Sequence, residues 1–147
     1  MRVLAIDVGR RRIGLAISDP TKTLARPLTT IVLPRLDAGG AVERVAEAIA
    51  RVAREFAADD DRLEEIVVGM PVRLDGSPNE QTAAVEAFVA GLRARTDIPV
   101  TTADERLTSR EAESRLALTE RDWRKRKAQL DAAAAAIILQ DYLDRRQ

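Results

Sequence analysis

Three carboxylates stand where predicted strands and helices begin or end. Asp7 is the only charge after Arg2 in the apolar segment 2–8, Glu105 follows another apolar segment, and Asp131 opens an alanine-rich one. The chain contains no histidine and no cysteine, so a metal site would have to use oxygen ligands. Three carboxylates around one cleft suit Mg²⁺ or Mn²⁺, and such ions can activate water against a phosphodiester. These residues are therefore candidate metal ligands and catalytic groups.

Each acid also has a structural interpretation. Asp7 could form a turn before Gly9, although an acid inside an apolar strand is costly unless it is paired or liganded. Glu105 could pair with Arg106 at the surface. Asp131 could stabilise the N-terminus of the last helix through the helix dipole. The sequence favours the functional interpretation for Asp7 and leaves the other two open.

Basic residues are clustered, although the net charge is zero with 24 basic and 24 acidic residues. Clustered cations can bind the phosphate backbone of a nucleic acid, or they can form a solvated face. Trp123, among the second cluster, could stack on a base or anchor a loop. The candidate nucleic-acid-binding residues are Arg10, Arg11, Arg12, Arg121, Arg124, Lys125, Arg126 and Lys127.

Hydrophobic periodicity predicts five strands and four helices. The predicted strands cover residues 2–8, 13–18, 28–33, 66–69 and 98–102. The predicted helices cover about 42–56, 85–92, 108–118 and 130–144, with Gly39-Gly40 breaking the chain before the first of them. No apolar run is long enough for a membrane span.

The order of these elements predicts a mixed α/β sheet with helices on both faces. The first three strands are joined by short connections and should be antiparallel, whereas the later strands alternate with helices and should be parallel. If the strand at 66–69 lies between the strands of Asp7 and Glu105, the two backbones are about 9.6 Å apart. Gly69 would leave the gap between the two carboxylates open. Residues 1–147 are predicted to form one domain.

Four segments of the chain have a recognisable order and composition. They are DVGRRRIGLAISDP from Asp7, VGMP from Val68 with Asp75-Gly76-Ser77, DERLTS from Asp104, and DAAAAAIILQDYL from Asp131. Together they resemble the motifs of the YqgF family of pre-16S rRNA nucleases, which are related to Holliday-junction resolvases. The resemblance covers essentially the whole chain and implies a ribonuclease H-like fold, with trimming of the 5′ end of precursor 16S rRNA in the bacterial cytoplasm. The acidic positions of the family carry over to Asp7, Glu105 and Asp131.

Three other functions are compatible with these residues. A Holliday-junction resolvase would use the same acids on branched DNA and would have to dimerise, yet the sequence shows no clear dimer surface. A non-catalytic factor could bind rRNA, or ribosomal assembly particles, without cutting. The segment Asp7-Val8-Gly9 is also similar to the phosphate loop of actin-like ATPases, but those bind ATP between two domains. We therefore expect a cytoplasmic nuclease, monomeric or weakly dimeric, with precursor rRNA as its partner and branched DNA as the alternative.

Overall fold

The computed structural model describes residues 1–33, 38–73, 75–105 and 123–146, with the backbone alone for 38, 39 and 123–131. Its strands are β1 (Arg2–Val8), β2 (Arg12–Ser18), β3 (Ala25–Val32), β4 (Leu63–Pro71) and β5 (Val100–Glu105). Its helices are α1 (Ala38–Ala57), α2 (Thr82–Arg93) and α3 (Trp123–Arg145). The helix predicted over residues 108–118 lies outside the described residues.

The five strands form one mixed sheet in the order β3-β2-β1-β4-β5. β1 pairs antiparallel with β2, and β2 pairs antiparallel with β3. β4 runs parallel to both β1 and β5. The prediction of three antiparallel strands followed by parallel ones is confirmed, and so is the position of β4 between the strands of Asp7 and Glu105.

Helices cover both faces of this sheet because the side chains of each strand alternate between two apolar clusters. In β1, Leu4 and Ile6 belong to the cluster that α1 and α2 complete. Val3 and Ala5 belong to the cluster that α3 completes. The innermost strand therefore buries both of its faces. In the part of the chain that the structure describes, no helix is both long and apolar enough to cross a bilayer.

The turn between β1 and β2 depends on a close backbone approach at Gly9. The amide of Gly9 donates a hydrogen bond of 2.8 Å to the carbonyl of Arg12. A Cβ at position 9 would stand only 2.6 Å from that same oxygen. A side chain at this position would push the two strands apart, so glycine fixes the tight connection that follows Asp7.

Several predicted boundaries were wrong. β4 extends from Leu63 to Pro71 rather than over 66–69, and β5 runs to Glu105, which lies within the strand and not after it. α1 begins at Ala38, so Gly39 and Gly40 lie in its first turn and not before it. The amides of a first turn have no hydrogen-bond partner within the helix in any case, so two glycines are tolerated there. β3 begins at Ala25, and it tolerates Pro27 because it is an edge strand. α3 begins at Trp123, because the basic residues that follow are good helix formers even without an apolar stripe.

Candidate active site

Asp7 and Glu105 lie on either side of Gly69, at the carboxyl edge of the parallel strands. Ile6 pairs with Val68, so the next residue of β1, Asp7, lies beside Gly69. Across β4, Gly69 pairs with Ala103, two residues before Glu105. A carboxylate oxygen of Glu105, Oε2, lies 3.1 Å from the point where a Cβ on Gly69 would stand. The space beside Gly69 is therefore not open as predicted, because the carboxylate of Glu105 and the side chain of Ile138 occupy it.

Both acids are on the face of the sheet that α3 covers. Asp7 continues the alternation of Val3 and Ala5, which pack under α3. Glu105 continues that of Ala103, which packs against the same cluster. Each of the two side chains is half-buried. Two half-buried carboxylates on one face repel each other unless a cation or a donor compensates them.

α3 runs antiparallel to β1 and β4, so its N-terminal half lies towards the edge with the acids. Near its C-terminal end, the hydroxyl of Tyr142 donates to Glu65 at the start of β4. One turn earlier, Ile138 Cδ1 lies 2.6 Å from the Cβ position of Gly69. Asp131 lies seven residues before Ile138, about two helical turns, and so on the same helix face.

The prediction that Asp131 begins the final helix was wrong. α3 begins at Trp123, so Asp131 lies in its third turn, beyond reach of the N-terminal amides. The interpretation that Asp131 stabilises the N-terminus of the last helix is therefore excluded. The backbone at this position lies one turn before Ala135, which is buried against the sheet; the side chain of Asp131 lies outside the described residues.

A carboxylate at the far end of the sheet holds the C-terminal half of α3. Glu65 Oε2 accepts hydrogen bonds of 2.7 Å from Thr101 and from Tyr142, and Glu65 Oε1 accepts one of 2.8 Å from Arg146. Burial, together with the neighbouring Glu65, raises the pKa of the Tyr142 phenol. Sequence reasoning missed this cluster, although a tyrosine among the apolar residues of the last helix was a usable signal.

A second polar contact joins α3 to β3. Gln140 Oε1 accepts a hydrogen bond of 2.9 Å from the amide of Ala25, and Gln140 Nε2 donates one of 2.9 Å to the carbonyl of Thr23. The same Nε2 donates to Asp144 at 3.0 Å. Both polar contacts lie in the C-terminal half of α3, so they fix the position of the helix along the sheet without approaching Asp7 or Glu105.

The two basic clusters fall differently in the structure. Arg10 and Arg11 are exposed in the turn after Asp7, whereas Arg12 is half-buried at the start of β2. Arg121 lies outside the described residues. The backbone of Trp123 belongs to the first turn of α3, so this residue is not in a loop. Arg124, Lys125, Arg126 and Lys127 follow it in the same helix, and their side chains lie outside the described part.

An apolar cleft of about 100 Å³ opens on the other face of the sheet, between α1 and α2. Gly9 and Arg10 form one wall, and Phe88 lies in another. Asp7 and Glu105 do not line it, because both face α3. Among the described side chains, no group of three or more carboxylates could hold a metal ion. Of the three candidate ligands, Asp7 and Glu105 are the two whose side chains the structure describes.

The fold belongs to the ribonuclease H-like class. RuvC of T. thermophilus, solved in complex with a Holliday junction substrate, superimposes with a TM-score of 0.55. The match covers 99% of this chain and 95% of that chain, at 20% sequence identity. At that identity the likeness establishes the fold and nothing more specific.

The family follows from the sequence comparisons. Residues 1–145 match the family model of RuvX, described as Holliday junction resolvase. A relative from Roseiflexus sp. strain RS-1, named "Putative pre-16S rRNA nuclease", is 42% identical over 144 residues, which cover 97% of this chain and 94% of the relative. One of the same name from Anaeromyxobacter dehalogenans strain 2CP-1 is 43% identical over 146 residues, covering 99% and 98%. The chain belongs to the RuvX family, also called YqgF, a family of nucleases.

Proposed function

We propose that residues 1–147 act as a single metal-dependent nuclease domain that processes the 5′ end of precursor 16S rRNA in the bacterial cytoplasm. One observation carries this proposal: Asp7 and Glu105 flank a glycine at the carboxyl edge of the sheet, under the helix that contains Asp131. Relatives more than 40% identical are named as pre-16S rRNA nucleases, which supports the choice of substrate.

The donor set fits Mg²⁺ or Mn²⁺. Gly69 contributes no side chain between the strands of Asp7 and Glu105, so the two carboxylates would share an oxygen-ligated cation at this edge of the sheet. Both ions prefer carboxylate oxygen, and Asp131 would complete the set. When bound, the cation would lower the pKa of a water and offset charge on the phosphodiester.

The residues of the chain have three tasks in this reaction. Asp7 would be the central ligand because β1 is the innermost strand of the sheet. Glu105 and Asp131 would close the site from β5 and α3. Arg10 and Arg11, with the basic residues in and just before the first turns of α3, would bind phosphates of the RNA backbone. Ribosomal assembly particles are the physiological context that this substrate implies.

The experiment is a cleavage assay on structured precursor RNA with Mg²⁺, Mn²⁺ or chelator. Glu105→Gln should abolish cleavage because it removes a ligand charge with little change in shape. Asp104→Asn is the matched control, because Asp104 is the exposed neighbour on the opposite face of β5. Cleavage that persists in chelator, or in a Glu105→Gln preparation free of contaminating nuclease, would refute the proposal.

A Holliday-junction resolvase is the second candidate, favoured by the description of the matching family model. Four-way DNA assayed beside the RNA distinguishes the two functions. Paired, symmetric cuts in the junction by a dimer would select the resolvase. Tight RNA binding by a protein that cuts neither substrate would instead select a non-catalytic assembly factor.

A further inference from the structure

Arg12 differs from its two basic neighbours in its surroundings. Arg10 and Arg11 are exposed, but Arg12 is half-buried, and its Nη1 is shielded from solvent. Within the described part of the chain, this nitrogen has no hydrogen-bond partner. A buried N–H of a charged group costs free energy when it has no acceptor. A ligand that brings an acceptor to this nitrogen would therefore gain a favourable hydrogen bond.

The register of the sheet places Arg12 near Asp7. In β2, Ile13 and Leu15 pack towards α1 and α2, whereas Ala16 packs towards α3. Arg12 therefore shares the α3 face with Asp7. Asp7 pairs with Gly14, two residues beyond Arg12, which makes Arg12 its diagonal neighbour across the strand pair. Such neighbours are about 7–8 Å apart, within reach of a guanidinium.

We propose that Arg12 is a further catalytic residue that binds the phosphate being cleaved, whereas Arg10 and Arg11 bind the flanking backbone. This inference rests on the proposed nuclease function. A phosphodiester carries one negative charge and gains a second when hydroxide attacks. A guanidinium held on the same face of the sheet as Asp7 would need little reorganisation to neutralise that second charge. Its planar fork also matches two phosphate oxygens.

The reaction needs no further reactant. Water forms a new P–O bond, and the P–O bond to the departing sugar oxygen breaks. One hydrogen of the water ends on the departing hydroxyl and the other on the phosphate monoester. Arg12 takes no part in these proton transfers and acts through its charge and its hydrogen bonds.

Two measurements test this role, each on Arg12→Met, Arg12→Lys and the control Arg51→Gln, an exposed residue of α1 on the opposite face of the sheet. The first is the single-turnover cleavage rate at saturating RNA with Mn²⁺. Arg12→Met should lower it about 100-fold, the scale for losing one transition-state donor. Arg12→Lys should fall between Arg12→Met and the wild type, and Arg51→Gln should keep the wild-type rate.

The second measurement needs no cleavage. Strands ending in a 5′- or 3′-phosphate are compared with their hydroxyl-ended twins for binding with Ca²⁺. The wild type should favour one phosphate-ended strand by about tenfold. Arg12→Met should lose that preference, and Arg51→Gln should keep it. If the wild type shows no preference, or Arg12→Met retains it, the role of Arg12 is overturned. If the preference behaves as expected but no substrate is cut, the nuclease proposal fails alone.

Folding stability separates this role from a structural one. Because Arg12 is half-buried and its Nη1 has no hydrogen-bond partner among the described residues, Arg12→Met should change the free energy of unfolding of the ligand-free protein little. A clear fall in the stability of Arg12→Met, restored by Arg12→Lys together with full cleavage, would show that Arg12 only supports the fold.

Discussion

Glu105 occupies space that a side chain at position 69 would otherwise fill. Its Oε2 lies 3.1 Å from the Cβ position of Gly69, and Ile138 Cδ1 lies 2.6 Å from the same point. Because Gly69 has no side chain, both Glu105 of β5 and Ile138 of α3 can pack against its backbone. Gly69 links the geometry of the acids to the seating of the helix that contains Asp131.

Gly69→Ala should impair both properties at once. The new methyl group must displace Ile138, Glu105 or both, so the free energy of unfolding should fall by about 1–3 kcal/mol. The metal concentration for half-maximal cleavage should rise about tenfold, as expected when the support of a ligand is disturbed. Urea denaturation and a Mn²⁺ titration of cleavage measure the two effects.

A second glycine and a second substitution provide the controls. Gly91→Ala crowds Val42 at 2.9 Å between α1 and α2, away from the acids, and should not alter the metal requirement. Adding Ile138→Val to Gly69→Ala removes the crowding Cδ1 and should restore part of the stability. An unchanged metal requirement in Gly69→Ala would mean that position 69 does not govern Glu105.

The sheet could be predicted because local signals decide it. A short basic connection between the apolar segments 2–8 and 13–18 predicts a hairpin. Helices between the later strands predict parallel pairing. The extent of α3 could not be predicted this way, since the residues after Trp123 have helix propensity but no apolar stripe. The depth of Asp131 within that helix was therefore misplaced.

Arg12 shows what a sequence cannot decide about a charge cluster. Three consecutive arginines look equivalent as residue types, but strand alternation buries one and leaves two in a turn. The register that makes the distinction comes from the pairing of β2 with β1 and β3. The sequence places the turn between Val8 and Ile13, but only the structure shows that Arg12 begins β2 and that its Nη1 is shielded from solvent.

Asp61 should make the stability of the fold depend on pH in the acid range. A hydrogen bond from Arg2, then one from the N-terminal amine, lowers the pKa of Asp61 from 3.8 to about 2. Because the folded state favours the ionised form, this contribution is complete above pH 3.8 and is lost as the pH falls towards 2. Asp61→Asn should therefore be less stable than the wild type at neutral pH, and the difference should vanish near pH 2.

Thermal unfolding of Asp61→Asn across this pH range tests that expectation. Asp59→Asn is the control, because Asp59 is exposed in the same turn and makes no such pair with Arg2. A stability difference that stays constant from pH 7 to pH 2 would show that the ion pair does not contribute through its charge.

Gln140→Glu should loosen α3 from β3. The substitution keeps the acceptor for the amide of Ala25 but replaces the donor to Thr23 and Asp144 with an oxygen. Facing acceptors then repel, and the free energy of unfolding should fall by about 1–3 kcal/mol at neutral pH. Adding Asp144→Asn should recover part of it by supplying a donor. A fully stable Gln140→Glu protein would exclude this contact as an anchor.

Asp7→Asn should remove metal binding and cleavage while leaving the fold intact. Asp7 shares the α3 face with Glu105, and removing one of two like charges lowers their repulsion when no cation is bound. Without metal, the variant should therefore unfold at the wild-type temperature or above it. With Mn²⁺, the wild type should gain thermal stability and the variant should not. Asp104→Asn, exposed on the opposite face, should behave like the wild type in both measurements. If Asp7→Asn unfolds without metal, Asp7 is structural; if it still gains stability from Mn²⁺, the metal binds elsewhere.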